Sequence, residues 1–424
     1  MSQQRLVLEP TGYHFLNVGD VAMRQVAIRR LRELWPDAVI QVIADDPELL
    51  ARYCPDTELV PAEGQRRWLY GSLSGRAALR LPSRPRRSLA RVEERARVRV
   101  SRPLLTATRA ARRARGGDVH AIEAYLAAIE NADALIVSGG GFVTDAFGSY
   151  ALVVLRELEL AIRRNTPTFM FGQGIGPIAD RDLRRAAARV LPQVDAIGVR
   201  EGRTSPELLT ALGVDPARIS VTGDDALELA LAPGAPPARG DRLGVNVRVA
   251  GYSPLSGAAA GQLARGVLDA AGDHGARLLA VPISRHPGES DLDTVRRMFP
   301  EVEGADAETA EDAIEAAARC RAVVTGSYHA GVFALGQGVP CVCLVTSPFY
   351  RDKFLGLADQ FPGGCSVVDL DGTDVSARVR TSIRAAWELA EPARDDLRAA
   401  AGQQVEASRA AYARAKAFIE QRRG

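Results

Sequence analysis

The chain has 424 residues, more than the ~250 to 300 over which a single core grows, so its length predicts two domains of ordinary size. Its composition, 46% hydrophobic and 25% charged, is that of a globular protein and excludes disordered, fibrous and membrane-spanning classes, since no stretch approaches the ~20 apolar residues of a membrane span. The net charge of +2 conceals an asymmetry: between Arg66 and Arg115 sixteen arginines face only Glu93 and Glu94.

The opening MSQQRLVLEPTGYHF has no basic segment followed by an apolar one, so a cytoplasmic site is expected. Short apolar runs alternating with longer amphipathic ones predict an α/β fold of parallel sheets covered by helices. The first run, 5–9, leads into TGYHFLNVGD. There Asn17, Gly19 and Asp20 precede a helical stretch. Asp20 fits an N-cap, yet a glycine-bearing loop feeding a helix also offers amides to an anion, and Asp20 suits a sugar hydroxyl. A second strand fits 38–44.

An arginine-rich insertion follows at about 62–117. Its plainest form is a solvated helical excursion, with a peripheral contact to anionic membrane at the inner face as the functional alternative. Nucleic acid is disfavoured, because no aromatic or groove-reading motif accompanies the charge.

Strands at 134–139 and 168–174 run into SGGGFVTD (138–145) and GQGIGP (172–177), whose glycines allow a ligand or another backbone to come close. Gly140 and Asp145 belong to the first of these. Neither is a Walker or dinucleotide fingerprint. Strands at 196–201 and 219–224 complete this half, and the proline- and glycine-rich LAPGAPPARGD (231–241) reads as a hinge. The second half offers strands at 242–249, 276–284, 322–327, 341–345 and 366–370. Helices fit 259–273, 307–319, 331–337 and 374–391, and a last one fits 393–422. The expected units are therefore 1–232, 242–390 and a terminal helix over 391–424, with two doubly wound, Rossmann-like domains facing a cleft.

Three arginines stand at strand ends: Arg200, Arg248 and Arg285. The guanidinium fork suits phosphate or carboxylate, which points to an anionic substrate. In GSYHAGVFALGQG, His329 sits at a helix start, where the positive dipole end lowers its pKa and favours a neutral base. The five histidines form no HExxH-like pair, and the five cysteines lack CxxC spacing and read as small buried hydrophobes. Neither metal nor cofactor is expected.

In order, GYHFLNVGD, VSGGGFVTD, GQGIGP, GVREGRTSPELLTALGV with VTGDDALEL, GVNVRV and GSYHAGVFALGQGVPCVCL resemble the polysaccharide pyruvyl transferase family from about residue 11 to 360. The resemblance implies a GT-B-like fold with a terminal helix crossing between the domains. It implies phosphoenolpyruvate as donor and a sugar or lipid-linked glycan as acceptor, joined as a pyruvate ketal on a cell-surface polysaccharide or its precursor. His329 matches the family histidine and is assigned acid/base work. Arg200, Arg248, Arg285 and Ser327 are assigned to the donor, and Asn17, Asp20, Gly140 and Asp145 to the acceptor. One position departs from the pattern: family members carry an arginine two residues before the histidine, where this chain has Ser327. Arg285, Arg351 or Lys353 would have to supply the missing charge, and a nucleotide-sugar glycosyltransferase or a non-catalytic carbohydrate-binding protein are the alternatives.

Overall fold

The computed structural model describes residues 3–70, 92–93, 96–98, 101–113, 119–231 and 240–423. Much of the arginine-rich insertion, with the membrane contact expected of it, and the hinge residues 232–239 lie outside the described residues. Three arginines of that insertion are engaged internally: Arg66 pairs with Asp45 at 2.6 Å, Arg109 with Glu123 at 2.5 Å, and the buried Arg97 donates to the Trp68 carbonyl.

The first sheet contains β1 (Arg5–Glu9), β2 (Val39–Ala44), β3 (Glu58–Pro61), β4 (Ala134–Val137), β5 (Gly140–Val143), β6 (Thr168–Ile175), β7 (Ala196–Val199) and β8 (Ile219–Val221). Its order is β3-β2-β1-β4-β6-β7-β8, with β5 paired to β6, and every pairing is parallel. The second sheet, β9 (Arg242–Asn246), β10 (Arg277–Ala280), β11 (Ala322–Thr325), β12 (Cys341–Val345) and β13 (Cys365–Asp369), runs β10-β9-β11-β12-β13, also parallel. Inner strands such as ALIV of β4 and CVCLV of β12 are buried at every residue, as strands covered on both faces must be. In such sheets the strand order reverses at a switch point, here between β1 and β4 and between β9 and β11, and the loops leaving these strands open a crevice.

The stretch SGGGFVTD departs from expectation. Residues 140–143 form β5, with Gly140 in register with Gln173, so its glycines serve close strand approach more than an open ligand loop.

The two domains are joined by backbone as well as by packing. Asn17 and Ser284 form an antiparallel bridge, Val18 N donates to the Ile283 carbonyl at 3.0 Å and Arg285 N to the Leu16 carbonyl at 2.7 Å. The terminal helix Arg394–Arg423 crosses between domains as expected: Leu397, Ala401 and Val405 enter the second-domain core, while Ala411, Tyr412, Ala415 and Ile419 enter the first. Its polar anchor is Asp225, which pairs with buried Arg30 at 2.7 Å and accepts from Ser408 and Tyr412. Among the described residues no helix is long and apolar enough to cross a membrane.

Candidate active site in the interdomain cleft

The loops leaving β1, β9 and β11 converge on a cavity of about 570 Å³ between the domains. Six of the nine residues selected from sequence line it: Asn17, Asp20, Arg200, Arg248, Ser327 and His329.

His329 is the second residue of the helix Tyr328–Gly336 and is only 7% exposed. Its Nε2 lies 3.7 Å from Asp224 Oδ2, while its Cγ and Nδ1 lie against Gly19, whose missing Cβ would fall on the ring. Gly19 therefore makes the space that the imidazole occupies. The imidazole pKa is held well below 6.5, as expected, but the causes are burial first and then the cations Arg200 and Lys353. At neutral pH this ring is uncharged and able to accept a proton.

Asn17, rather than Asp20, caps the helix Val18–Leu34 (α1): its side-chain oxygen accepts from Gly19 N at 3.0 Å and Asp20 N at 3.2 Å. Asp20 occupies the first turn and lines the cleft, where burial pushes its carboxyl up to about 6 against the pull of Arg200, Lys353 and Arg24. Ser327 caps the helix bearing His329 by position only, its side chain making no capping bond.

The arginines differ in what they have left to offer. All five N–H donors of Arg248 are used, by Tyr252 Oη twice, the Glu289 carbonyl and carboxylate, and Asp291. Arg200 is anchored through Nε to the Gly172 carbonyl at 2.7 Å and Asp224 at 2.9 Å, leaving Nη1 without a hydrogen bond among the described residues. Arg285 does not line the cleft. Its Nη2 reaches the Phe15 carbonyl at 3.3 Å, so it belongs to the interdomain clamp.

Gly140 and Asp145 are likewise corrected. A Cβ at Gly140 would strike Thr11 and Phe142, so that glycine serves packing, and the Asp145 carboxylate accepts from Ala179 N at 2.6 Å and Asp180 N at 3.0 Å, fixing a loop outside the cleft.

Sequence reasoning left Lys353 as one of three stand-ins for a missing cation; of these Lys353 lines the cleft, whereas Arg351 pairs with Asp369. From the helix Pro348–Gln360 it lays Nζ over Phe349 at 4.6 Å, Tyr328 at 5.1 Å and Tyr350 at 5.7 Å, close to Gly141, where a Cβ would stand 2.8 Å from it. The ammonium makes no hydrogen bond or ion pair among the described residues, and burial beside Arg200 lowers its pKa to about 7. The reading also missed Asp224 and a buried carboxylate under the acceptor side. Glu9 accepts from Tyr150 at 2.8 Å, Tyr13 at 3.0 Å and Gln65 at 2.9 Å, and burial raises it to about 7. It holds Tyr13 and Tyr150 on the cleft wall. An acidic residue ending a strand before a tyrosine-bearing loop was the one available signal, and it is a faint one.

A sequence model described as "Polysaccharide pyruvyl transferase" matches residues 17–348. No curated protein sequence matches the chain. Among solved structures, a putative UDP-N-acetylglucosamine 2-epimerase from Listeria monocytogenes superposes with a TM-score of 0.58 at 12% identity, covering 99% of this chain and 98% of that one. A glycosyltransferase from Rickettsia africae gives 0.55 at 10% identity, covering 99% of both chains. A UDP-GlcNAc 2-epimerase from Neisseria meningitidis bound to UDP-GlcNAc gives 0.52 at 10%, covering 96% and 97%. These likenesses establish the two-domain GT-B-type architecture and nothing of chemistry.

Proposed function

The chain belongs to the polysaccharide pyruvyl transferase family, and from that premise we propose that it moves the pyruvyl group of phosphoenolpyruvate onto two hydroxyls of a glycan or its lipid-linked precursor, closing a ketal. The observation that carries the donor is Lys353. With Arg248 saturated and Arg200 half-neutralised by Asp224, the ammonium of Lys353 is a cleft cation without a counter-ion bond, and it offers the charge that Ser327 lacks. A trianionic donor held between Lys353 and Nη1 of Arg200 would lie in the cleft that Ser327 also lines.

In this reading His329, neutral by burial, removes a proton from the attacking hydroxyl. The resulting imidazolium is stabilised by Asp224 and delivers the proton to the methylene carbon, so the developing oxocarbenium is captured by the hydroxyl oxygen. The C–O bond to phosphate then breaks and the second hydroxyl closes the ketal. One hydroxyl proton ends in the new methyl group and the other on phosphate, which balances the reaction. Asp20 and Asn17, on the first-domain wall, orient the acceptor.

A nucleotide-sugar donor is the second reading, favoured by the aromatic wall of Tyr252, Phe349 and Tyr350 and by Ser327. Thermal-shift titration decides between them, since a ligand at 100 times its Kd adds about 2.7 kcal/mol. Stabilisation by phosphoenolpyruvate that is lost in Lys353→Met supports pyruvyl transfer; stabilisation by UDP- or GDP-sugars alone replaces it.

A further inference from the structure

Away from the cleft, three thiols meet in the second-domain core. Cys341 and Cys343 point to one face of β12, two residues apart, and Cys341 is in register with Cys365 on the neighbouring parallel strand β13. The Sγ–Sγ separations are 3.7 Å from Cys341 to Cys343 and 3.5 Å from Cys343 to Cys365, and all three sulfurs lie within 4.8 Å of one another. Sulfur at ~2.3 Å from a metal gives edges of about 3.8 Å in a tetrahedral arrangement and about 4.0 Å in a trigonal plane. The two edges that meet at Cys343 are within a few tenths of an ångström of the tetrahedral spacing, and the third, from Cys341 to Cys365, is under 4.8 Å.

The rest of the shell decides which ion fits. The sulfurs belong to an apolar cluster that also contains Phe354, Leu357 and Phe361, and no fourth ligating group joins the three among the described residues. On the helix side Gly331 leaves a gap one methyl wide, where a Cβ would lie 3.7 and 3.8 Å from the sulfurs of Cys343 and Cys341 and 3.4 Å from Leu357. That space admits no additional side chain. Zinc, which completes four ligands in structural sites, is poorly served, whereas soft monovalent copper is selected by thiolate ligands. Access exists at one corner: β13 is the edge strand of its sheet, and Cys365 is partly exposed while its two companions are buried.

We propose that Cys341, Cys343 and Cys365 form a three-sulfur binding site for a soft, thiophilic cation, with Cu(I) as the ion of that chemistry. Binding is a ligand exchange in which thiol protons are released as S–Cu bonds form, and copper stays in the +1 state. The occupied site ties β12 to the edge strand directly beneath the helix whose second residue is His329.

The test titrates the reduced, full-length protein anaerobically with Cu(I) against a competing Cu(I) chelator. The expected result is uptake of one equivalent, a sulfur-to-copper charge-transfer band in the ultraviolet and a raised Tm. Uptake should vanish in Cys365→Ser and Cys343→Ser and persist in Cys54→Ser, because Cys54 lies in a different core. A parallel Zn(II) titration should give no comparable gain in Tm. Failure of the wild-type chain to compete for Cu(I), or equal uptake by the Cys365→Ser chain, overturns the site. A measurement on the unmodified sequence guards against variants that misfold. Alkylation should label Cys365 in the copper-free protein and spare it after loading, and equal labelling in both states also overturns the proposal.

Discussion

Asp224 Oδ2 stands 2.9 Å from Arg200 Nε and 3.7 Å from His329 Nε2, so one buried carboxylate serves a fixed cation and a ring that is neutral at rest. Burial and the neighbouring positive charges of Arg200 and Lys353 oppose protonation of His329, while Asp224 waits to receive the imidazolium once a proton arrives. In the proposed reaction the ring would serve as a base whose protonated form is acidic, which suits delivery of a proton to carbon.

His329→Ala should lower kcat by about 10² to 10⁴, the range of a positioned acid/base group, with the donor-induced thermal shift retained. Asp224→Asn should behave differently. It leaves Arg200 buried without its anion, a change that costs about 3 to 5 kcal/mol, so Tm should fall along with kcat. Steady-state kinetics and melting curves on both variants check this. Equal Tm losses in the two would contradict the separation of roles.

Gly19→Ala is the sharper probe of geometry. Gly19 lies within α1, where alanine is favoured over glycine by about 1 kcal/mol, so helix propensity alone predicts a gain in stability. The added methyl would instead fall on the His329 ring. Turnover should drop by about 10²-fold through misplacement of the imidazole, and Tm should not rise. An active, stabilised variant would show that the ring has room to move.

The sheets were legible because apolar runs such as ALIV and CVCLV have few alternatives to buried parallel strands, and the switch-point rule then directed attention to His329, Arg200 and Asp20. The glycine-rich 140–143 stretch was illegible as a strand, since glycine carries no strand propensity and β5 exists through close approach to β6. The arginines illustrate a different limit. Residue type proposed Arg248 and Arg285 as anion grips, but donor availability depends on Glu289, Asp291 and Tyr252 in the first case and on the Phe15 carbonyl in the second, contacts that only folding brings together.

Arg285→Ala tests that distinction. As part of the clamp between the β1 loop and the second domain, its side chain contributes about 1 kcal/mol through hydrogen bonding, on the order of one to two degrees in Tm for a chain of this length. Donor affinity should stay within about threefold of the wild type, less than 1 kcal/mol. A tenfold loss of donor binding with unchanged Tm would return Arg285 to the donor site.

Lys353 makes the pH dependence specific. Its pKa falls from 10.5 to about 7, with burial as the first cause and Arg200 as the second, so the folded chain releases this proton some three units before the unfolded chain does. Between those values the unfolded state binds more protons, and stability rises with pH. Below pH 7 both states carry the charge and the folded state bears the full cost of burying it. Lys353→Met should therefore raise Tm at pH 6 relative to the wild type, with the advantage shrinking toward pH 10 as the wild-type amine is neutralised. Donor binding should follow the opposite course. If the ammonium grips the anion, Kd for phosphoenolpyruvate increases as pH climbs through about 7, less steeply to the extent that the bound anion itself raises the pKa, and Lys353→Arg flattens the profile because guanidinium stays charged. A wild-type Kd that is flat from pH 6 to 9, together with full donor binding by Lys353→Met, would remove Lys353 from the donor site and with it the main support for an unpaired cation there.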